Sequence, residues 1–367
     1  RTVITLGAAT NRLVIIQAVS NATVERITFR GGYDRYYGAG IYATNATNLA
    51  IRSCRLIGNT GCGVWGGHFY GGGLSALNTS GVISNTVFVE NSACGGGYRI
   101  GYGGALYVSG GAMTIQDCVV AGNIAHGEYV GSGYGGAMFF ASGTHTVRNV
   151  LIINNCAWYH SGYYTSDPWR WAPEPSTTGA GLYIDAGATV TIENATIAGH
   201  SSEGIYNRSA ATTVRNSIVV NNVTDVGGTA TPTLSNNCIR DGYGAGAGGN
   251  FVADPLFERA TFYLAANSPC VNAGDRSVVA AGLTGLTTRT NGAADAGTVD
   301  LGYHYPSGLS FDQDLYVSPS GNNTNAGTTP GAALRSVTRA VQLAALRARI
   351  HVASGLYDKN VETFPLT

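Results

Sequence analysis

The chain has 367 residues with 21 basic and 21 acidic side chains, a charged fraction of 11%, less than half the roughly 25% of an average soluble domain. A net charge of zero leaves no electrostatic footprint for nucleic acid or an anionic membrane, and 44% apolar residues is too many for a disordered chain. The 53 glycines never fall at every third position, and no apolar run approaches the ~18 residues of a membrane-spanning helix, so collagen and a helical span are excluded. The sequence opens in an apolar alternating run, Thr2-Val3-Ile4-Thr5-Leu6, with no Met, basic leader or targeting motif, as an excerpted or processed piece would.

From residue 24 one pattern recurs: Val24–Phe29, Ile51–Leu56, Ile83–Phe88, Ile115–Val120, Val147–Ile152, Ile192–Ile197 and Val214–Val219. Three residues after each of the last six comes a polar residue: Asn59, Asn91, Asn123, Asn155, His200 and Asn222. A second strand signal follows, as in Gly40-Ile41-Tyr42, Ala105-Leu106-Tyr107 and Gly181-Leu182-Tyr183. Short β-type runs bounded by Gly and Asn at a period of about 32 residues predict the stacked coils of a solenoid.

Stacking explains the columns. Parallel coils rise about 4.8 Å, so equivalent residues lie above one another. The first and sixth positions, headed by Val24 and Phe29, are apolar throughout and should point inward. The fourth (Ile27, Cys54, Thr86, Cys118, Val150, Ala195, Ser217) is mostly small, as a tight corner demands. The second alternates charge at Glu25/Arg52, Arg148/Glu193 and Glu193/Arg215, as a solvent-facing ladder would. The Asn column (Asn59, Asn91, Asn123, Asn155, Asn222) should form an amide ladder at a turn whose backbone is left-handed.

Loops between the Asn column and the second strand carry aromatics: Tyr33, Tyr36 and Tyr37; His68, Phe69 and Tyr70; Tyr98 and Tyr102; Tyr129 and Tyr134. The longest loop, about 157–178, adds Trp158, Tyr159, Tyr163, Tyr164, Trp169, Arg170 and Trp171. These rings suit packing over the coils, a subunit contact or a glycan. Cys62 and Cys94, 32 residues apart and each three residues after a ladder Asn, should lie on adjacent coils within disulfide range. Cys54 and Cys118 share a column two coils apart and should be thiols. Cys238 with Cys270 is a weaker pairing, and Cys156 has no assigned partner.

The residues also carry a resemblance. Phe88-Val89-Glu90-Asn91, Gly103-Gly104-Ala105-Leu106 and Gly135-Gly136-Ala137-Met138 resemble the FxxN and GGA[ILV] repeats of chlamydial polymorphic outer-membrane proteins. More broadly the chain resembles secreted bacterial proteins with a pectin-lyase-like right-handed β-helix. Asp254-Pro255-Leu256-Phe257, the run Ser268 to Asp275, and Val299-Asp300-Leu301-Gly302-Tyr303 are similar to the end of such proteins bearing the choice-of-anchor Q domain. The resemblance implies fold and export rather than a reaction. With it, the sequons at Asn21, Asn45, Asn78, Asn194, Asn207, Asn222 and Asn322 fit an extracellular protein.

The last segment reads as a beginning. Leu315–Asn322, Pro330–Val337 and Ile350–Tyr357 resemble the N-terminal entry of secreted β-helices: a strand, a turn, a capping helix over 335–347, then a first coil. The expected division is therefore 1–250 as coils, 251–310 as a C-terminal segment, and 311–367 as the cap of a following β-helix. That β-helix would belong to the next subunit or the next tandem repeat. Folding back onto the chain's own N-terminus ranks lowest, because 251–305 would have to run along the rod.

Catalysis on such a scaffold needs clustered carboxylates. The third column (Arg26, Ser53, Asn85, Asp117, Asn149, Asn194, Asn216) offers Asp117 alone, and Asp34 and Asp185 have no partner nearby in sequence. His126, His145, His160 and His200 are scattered singly. The expectation is an all-β, right-handed parallel β-helix solenoid with one short capping helix near the C-terminus. It is expected to be secreted and non-catalytic, without cofactor or metal, assembling head-to-tail with identical subunits or repeats into a fibre or surface layer. A carbohydrate-binding or carbohydrate-active β-helix using the 157–171 aromatics, or an adhesin passenger domain, is the alternative.

Overall fold

The computed structural model describes residues 2–5, 11–63, 67–97, 99–127, 131–158, 179–258, 261–306, 314–343, 349–357 and 362. Strands make up 48% and helices 4% of it, so the chain is all-β. The strands of the coils pair in parallel. The first column runs in unbroken register through Val24, Ile51, Ile83, Ile115, Val147, Ile192 and Val214, then on to Leu234. The sixth runs from Ile4 through Phe29, Leu56, Phe88, Val120, Ile152, Ile197 and Val219 to Ile239. Leu234 and Ile239 thus belong to a further coil that the sequence pattern did not reveal. Between Phe29 and Val219 the sixth column is buried at every coil, and with the first it forms one continuous apolar core.

Corner chemistry sets the repeat. Arg26, Ser53, Asn85, Asp117, Asn149, Asn194, Asn216 and Asn236 all have φ between 49° and 58°. That is the left-handed region, which Asn and Asp tolerate better than other side chains. The chain therefore turns at the third position rather than the fourth. The small fourth residues, among them Cys54, Thr86, Cys118 and Ala195, are buried just inside the turn. At the next corner the left-handed residues are Gly58, Glu90, Gly122, Asn154, Gly199 and Asn221. Each stands one residue before the ladder position, so the ladder Asn itself is not left-handed, contrary to expectation. Before the second strand Gly103 has φ 66°, and a Cβ on Gly104 would lie 2.2 Å from the Gly136 carbonyl oxygen on the next coil. Only glycine permits stacking that close.

After the last coil the chain turns back. Segment 251–305 runs along the outside of the rod toward the N-terminal coils, held by the left-handed Asn column. Asn236 Nδ2 donates to the Ala273 carbonyl at 3.2 Å, and Asn216 Nδ2 to Asp275 Oδ1 at 2.7 Å. Asn194 Nδ2 donates to the Asp300 carbonyl at 3.2 Å. Asn149 Nδ2 donates to the His304 carbonyl at 3.0 Å, and His304 N–H returns a bond to Asn149 Oδ1 at 2.7 Å. Beneath this strap, Leu264, Cys270 and Leu301 pack on Ala198, Ile218, Val220 and Cys238. The objection raised from sequence, that 251–305 would have to follow the rod, is thus removed: it does. The strap also contains a helix absent from the sequence reading, α1 (Val278–Ala281), capped by Ser277 and by left-handed Gly282.

The charged column departs from expectation as well. Glu193 pairs with Arg215 as expected. Arg148 instead donates to the Ala281 carbonyl at 3.3 Å, and Glu25 pairs with Arg26 at 3.3 Å rather than with Arg52. In the C-terminal segment, strand Asp314–Val317 pairs in parallel with Arg349–Val352. Between them lie a 3-10 turn, Pro330–Ala332, and helix α2 (Val337–Leu343), which starts two residues into the predicted 335–347; residues 344–348 lie outside the described ones. Leu315, Val317, Leu334 and Ala340 form this segment's own core.

Candidate functional site

From Asn59 to Asn155 the Asn column is a continuous buried amide ladder. Asn59 Nδ2 donates to Asn91 Oδ1 at 2.8 Å, Asn91 Nδ2 to Asn123 Oδ1 at 2.9 Å, and Asn123 Nδ2 to Asn155 Oδ1 at 2.9 Å. Each Oδ1 also accepts the backbone N–H of the preceding coil's Asn, so one side chain satisfies two donors. His200 interrupts the ladder. Its Nδ1 accepts the Asn155 N–H at 3.0 Å, which fixes the proton on Nε2, and buried Nε2 finds no partner. Burial pushes its pKa down to about 4. Asn222 resumes the column but donates sideways to Asp225 Oδ1 at 3.0 Å. A shorter amide relay, Asn237 Nδ2 to Asn250 Oδ1 at 2.9 Å, was not found from sequence, because its 13-residue spacing departs from the coil period.

The loop tyrosines form a second stack. Tyr37–Tyr70 and Tyr70–Tyr102 have ring centroids 4.9 and 5.1 Å apart and planes within 14° and 4°. Beside them Phe139–Tyr183 and Tyr183–Tyr206 stack at 4.8 and 5.0 Å. Stacked rings cover one another's faces, the surfaces a sugar ring would need. What remains outward is edges and hydroxyls. Burial raises the Tyr102 phenol and holds Tyr107 at about 12. Trp158 is half-buried, its backbone paired with Ala125 and Gly133. Tyr159, Tyr163, Tyr164, Trp169, Arg170 and Trp171 lie outside the described residues, as do Tyr98, Tyr129 and His160.

Cys62 and Cys94 are register partners on adjacent coils, with Sγ atoms 2.7 Å apart as a thiol pair. Cys238 and Cys270 share the buried cluster beneath the strap. Among the sequons, Asn21, Asn45, Asn78 and Asn322 are exposed. Asn194 and Asn207 are buried with their amides hydrogen-bonded, which leaves no room for a glycan and corrects those two expectations. The Asn222 amide is also engaged, with the Ile197 carbonyl and Asp225.

The carboxylates have structural partners. Asp34 pairs bidentately with Arg12 at 2.8 and 3.0 Å, and Asp185 meets Arg208 at 3.1 Å. Asp117 accepts from Asn149 Nδ2 at 2.9 Å. Among the described residues no group of three or more His, Cys, Asp or Glu side chains converges as a metal site would. No helix of the described residues is long and apolar enough to cross a membrane.

Residues 9–157 match the family model described as a right handed beta helix region. The solenoid is a right-handed β-helix. Residues 319–367 match a second model, described as a protein of unknown function (DUF1565). No curated protein matches the chain. The β-helix match spans the coils that carry the Asn ladder from Asn59 to Asn155, and ends before the strap begins.

Proposed function

We propose that this chain is a non-catalytic structural β-helix of an extracellular fibre or surface layer. A segment equivalent to 314–357, from another copy or repeat, stacks on its first coil. The supporting observation is the state of that coil. Strands Thr2–Thr5, Val14–Gln17 and Thr23–Glu25 pair on one side only among the described residues. Val3 and Ile15 are each 57% exposed, and Ile4, Val14 and Val24 are only partly buried against the core. A half-paired apolar sheet edge is a template for another chain. The C-terminal segment supplies the matching shape, a parallel strand pair 35 residues apart in register with exposed Val352 on its second strand. A contact between opposite ends is heterologous and extends without closing.

The partners of this reading are identical units; glycans on exposed sequons are compatible with it. The carbohydrate alternative gains nothing from the stacked tyrosines, whose faces cover one another, and Tyr36 is left as an exposed loop ring. Negative-stain microscopy and light scattering at rising protein concentration test the proposal. Rods that lengthen along one axis are expected, and a Val3→Asp/Ile15→Asp pair should stop growth while leaving the circular dichroism unchanged. A monodisperse monomer at high concentration would overturn it.

A further inference from the structure

We propose that Cys62 and Cys94 are a modification site: an inter-coil disulfide that closes a covalent ring around one coil of the rod. Three observations place it. The two residues are direct register partners, flanked by the pairs Thr60–Ser92 and Gly61–Ala93. At the ~4.8 Å spacing of parallel strands their Cα atoms fall within the range a disulfide spans without backbone movement. The sulfurs already point at each other, 2.7 Å apart, closer than unbonded sulfur atoms pack.

The surroundings set the order of the chemistry. Cys62 is half-buried and Cys94 is 4% exposed, so an oxidant reaches Cys62 first. With a small-molecule disulfide such as oxidised glutathione, the Cys62 thiolate attacks one sulfur and expels a glutathione thiolate. The Cys94 thiolate then attacks Cys62 Sγ and expels the second. Two protein S–H bonds are lost, one S–S bond forms, and the reagent's S–S bond becomes two thiols. The other cysteines differ. Cys54 and Cys118 are fully buried, with the Thr86 coil between them, and each donates to a backbone carbonyl. Cys238 and Cys270 also face each other, but they are fully buried between the coils and the strap and are reached only when it lifts.

The full chain, equilibrated in a glutathione redox buffer, alkylated without reduction and peptide-mapped, tests this. The expected product joins the Cys62 and Cys94 peptides, 2 Da lighter than the two thiols, with buried Cys54, Cys118, Cys238 and Cys270 alkylated only after denaturation and half-buried Cys156 recovered as an alkylated thiol. Reduction should lower Tm by several degrees in the native chain, and not in Cys62→Ser or Cys94→Ser. The peptide map of the native chain stands whether or not these variants fold. Recovery of both cysteines as alkylated thiols would overturn the proposal, as would a link from Cys62 to another chain.

Discussion

At the scale of single residues, His200 is the weak point of the ladder. Its coil neighbours Asn155 and Asn222 each use a side-chain amide to satisfy two directions, whereas the imidazole satisfies one and buries an unpaired N–H. An orphaned buried donor costs about 1–3 kcal/mol. The same burial makes His200 acid-sensitive. In the unfolded chain it takes up a proton near pH 6.5, but in the folded chain only near 4. The unfolded state therefore binds more protons between those values, and stability falls as pH drops through them. A full shift of this size amounts to about 3 kcal/mol. His145, buried with its pKa also lowered, acts in the same direction. His200→Asn should raise Tm at pH 7 and flatten its decline between pH 6.5 and 4, measured by thermal melts across that range. An unchanged pH slope would show that His200 is not the group responsible. The Asn ladder itself was legible in the sequence, because it repeats at the coil period. The orphaned Nε2 was not, since it depends on which ring nitrogen faces Asn155.

At the scale of elements, the strap is the part the sequence concealed. The third column was visible as a run of Asn but was read only for the carboxylates it lacks. Its role rests on contacts such as Asn149 with His304, 155 residues apart, which no local pattern reveals. The tail motifs quoted as a family resemblance now have local physical roles. Asp275 accepts from Asn216 and pairs with Arg276 at 2.6 Å, so its carboxyl is held down at about 2. Asp300 accepts the Asn272 N–H at 2.7 Å and the Thr288 hydroxyl at 2.5 Å. His304, wholly buried, has Nδ1 3.0 Å from the Gly302 carbonyl and Nε2 2.9 Å from Asp295. Asn149→Gly removes the strap bonds together with the one to Asp117 but keeps the backbone in place, because glycine keeps the left-handed corner that alanine would strain. It leaves the His304 N–H and carbonyl without Asn149 beneath the strap, a loss of about 2–4 kcal/mol for two bonds. Amide exchange at 299–305 should accelerate well beyond that of the coils. Asn85→Gly, in the same column but exposed, serves as the control and should leave those amides unchanged.

At the scale of the whole molecule, a solenoid is held by nearest-neighbour contacts, so its stability is distributed along the axis rather than shared equally. The strap's hydrogen bonds clamp the coils from Asn149 to Asn236, and its tyrosines reach Val119 on the coil before. At the other end Ile4, Val14, Val24 and Ile27 are partly covered, and the strands nearest that end pair on one side. The low charge that marked the sequence at the outset serves both ends, since like charges would sit one coil apart in every column. Hydrogen exchange should therefore run as a gradient. Amides of Val14–Gln17 and Thr23–Glu25 should exchange first, and those of Ile218–Val220, under the strap, last. If units stack end to end, raising the protein concentration should slow exchange in the first group and leave the second unchanged. Fraying of the open coil and its protection by a neighbour are then the same equilibrium seen from two sides. Exchange that is uniform along the chain and independent of concentration would mean that the rod opens as one block, and that its first coil needs no neighbour.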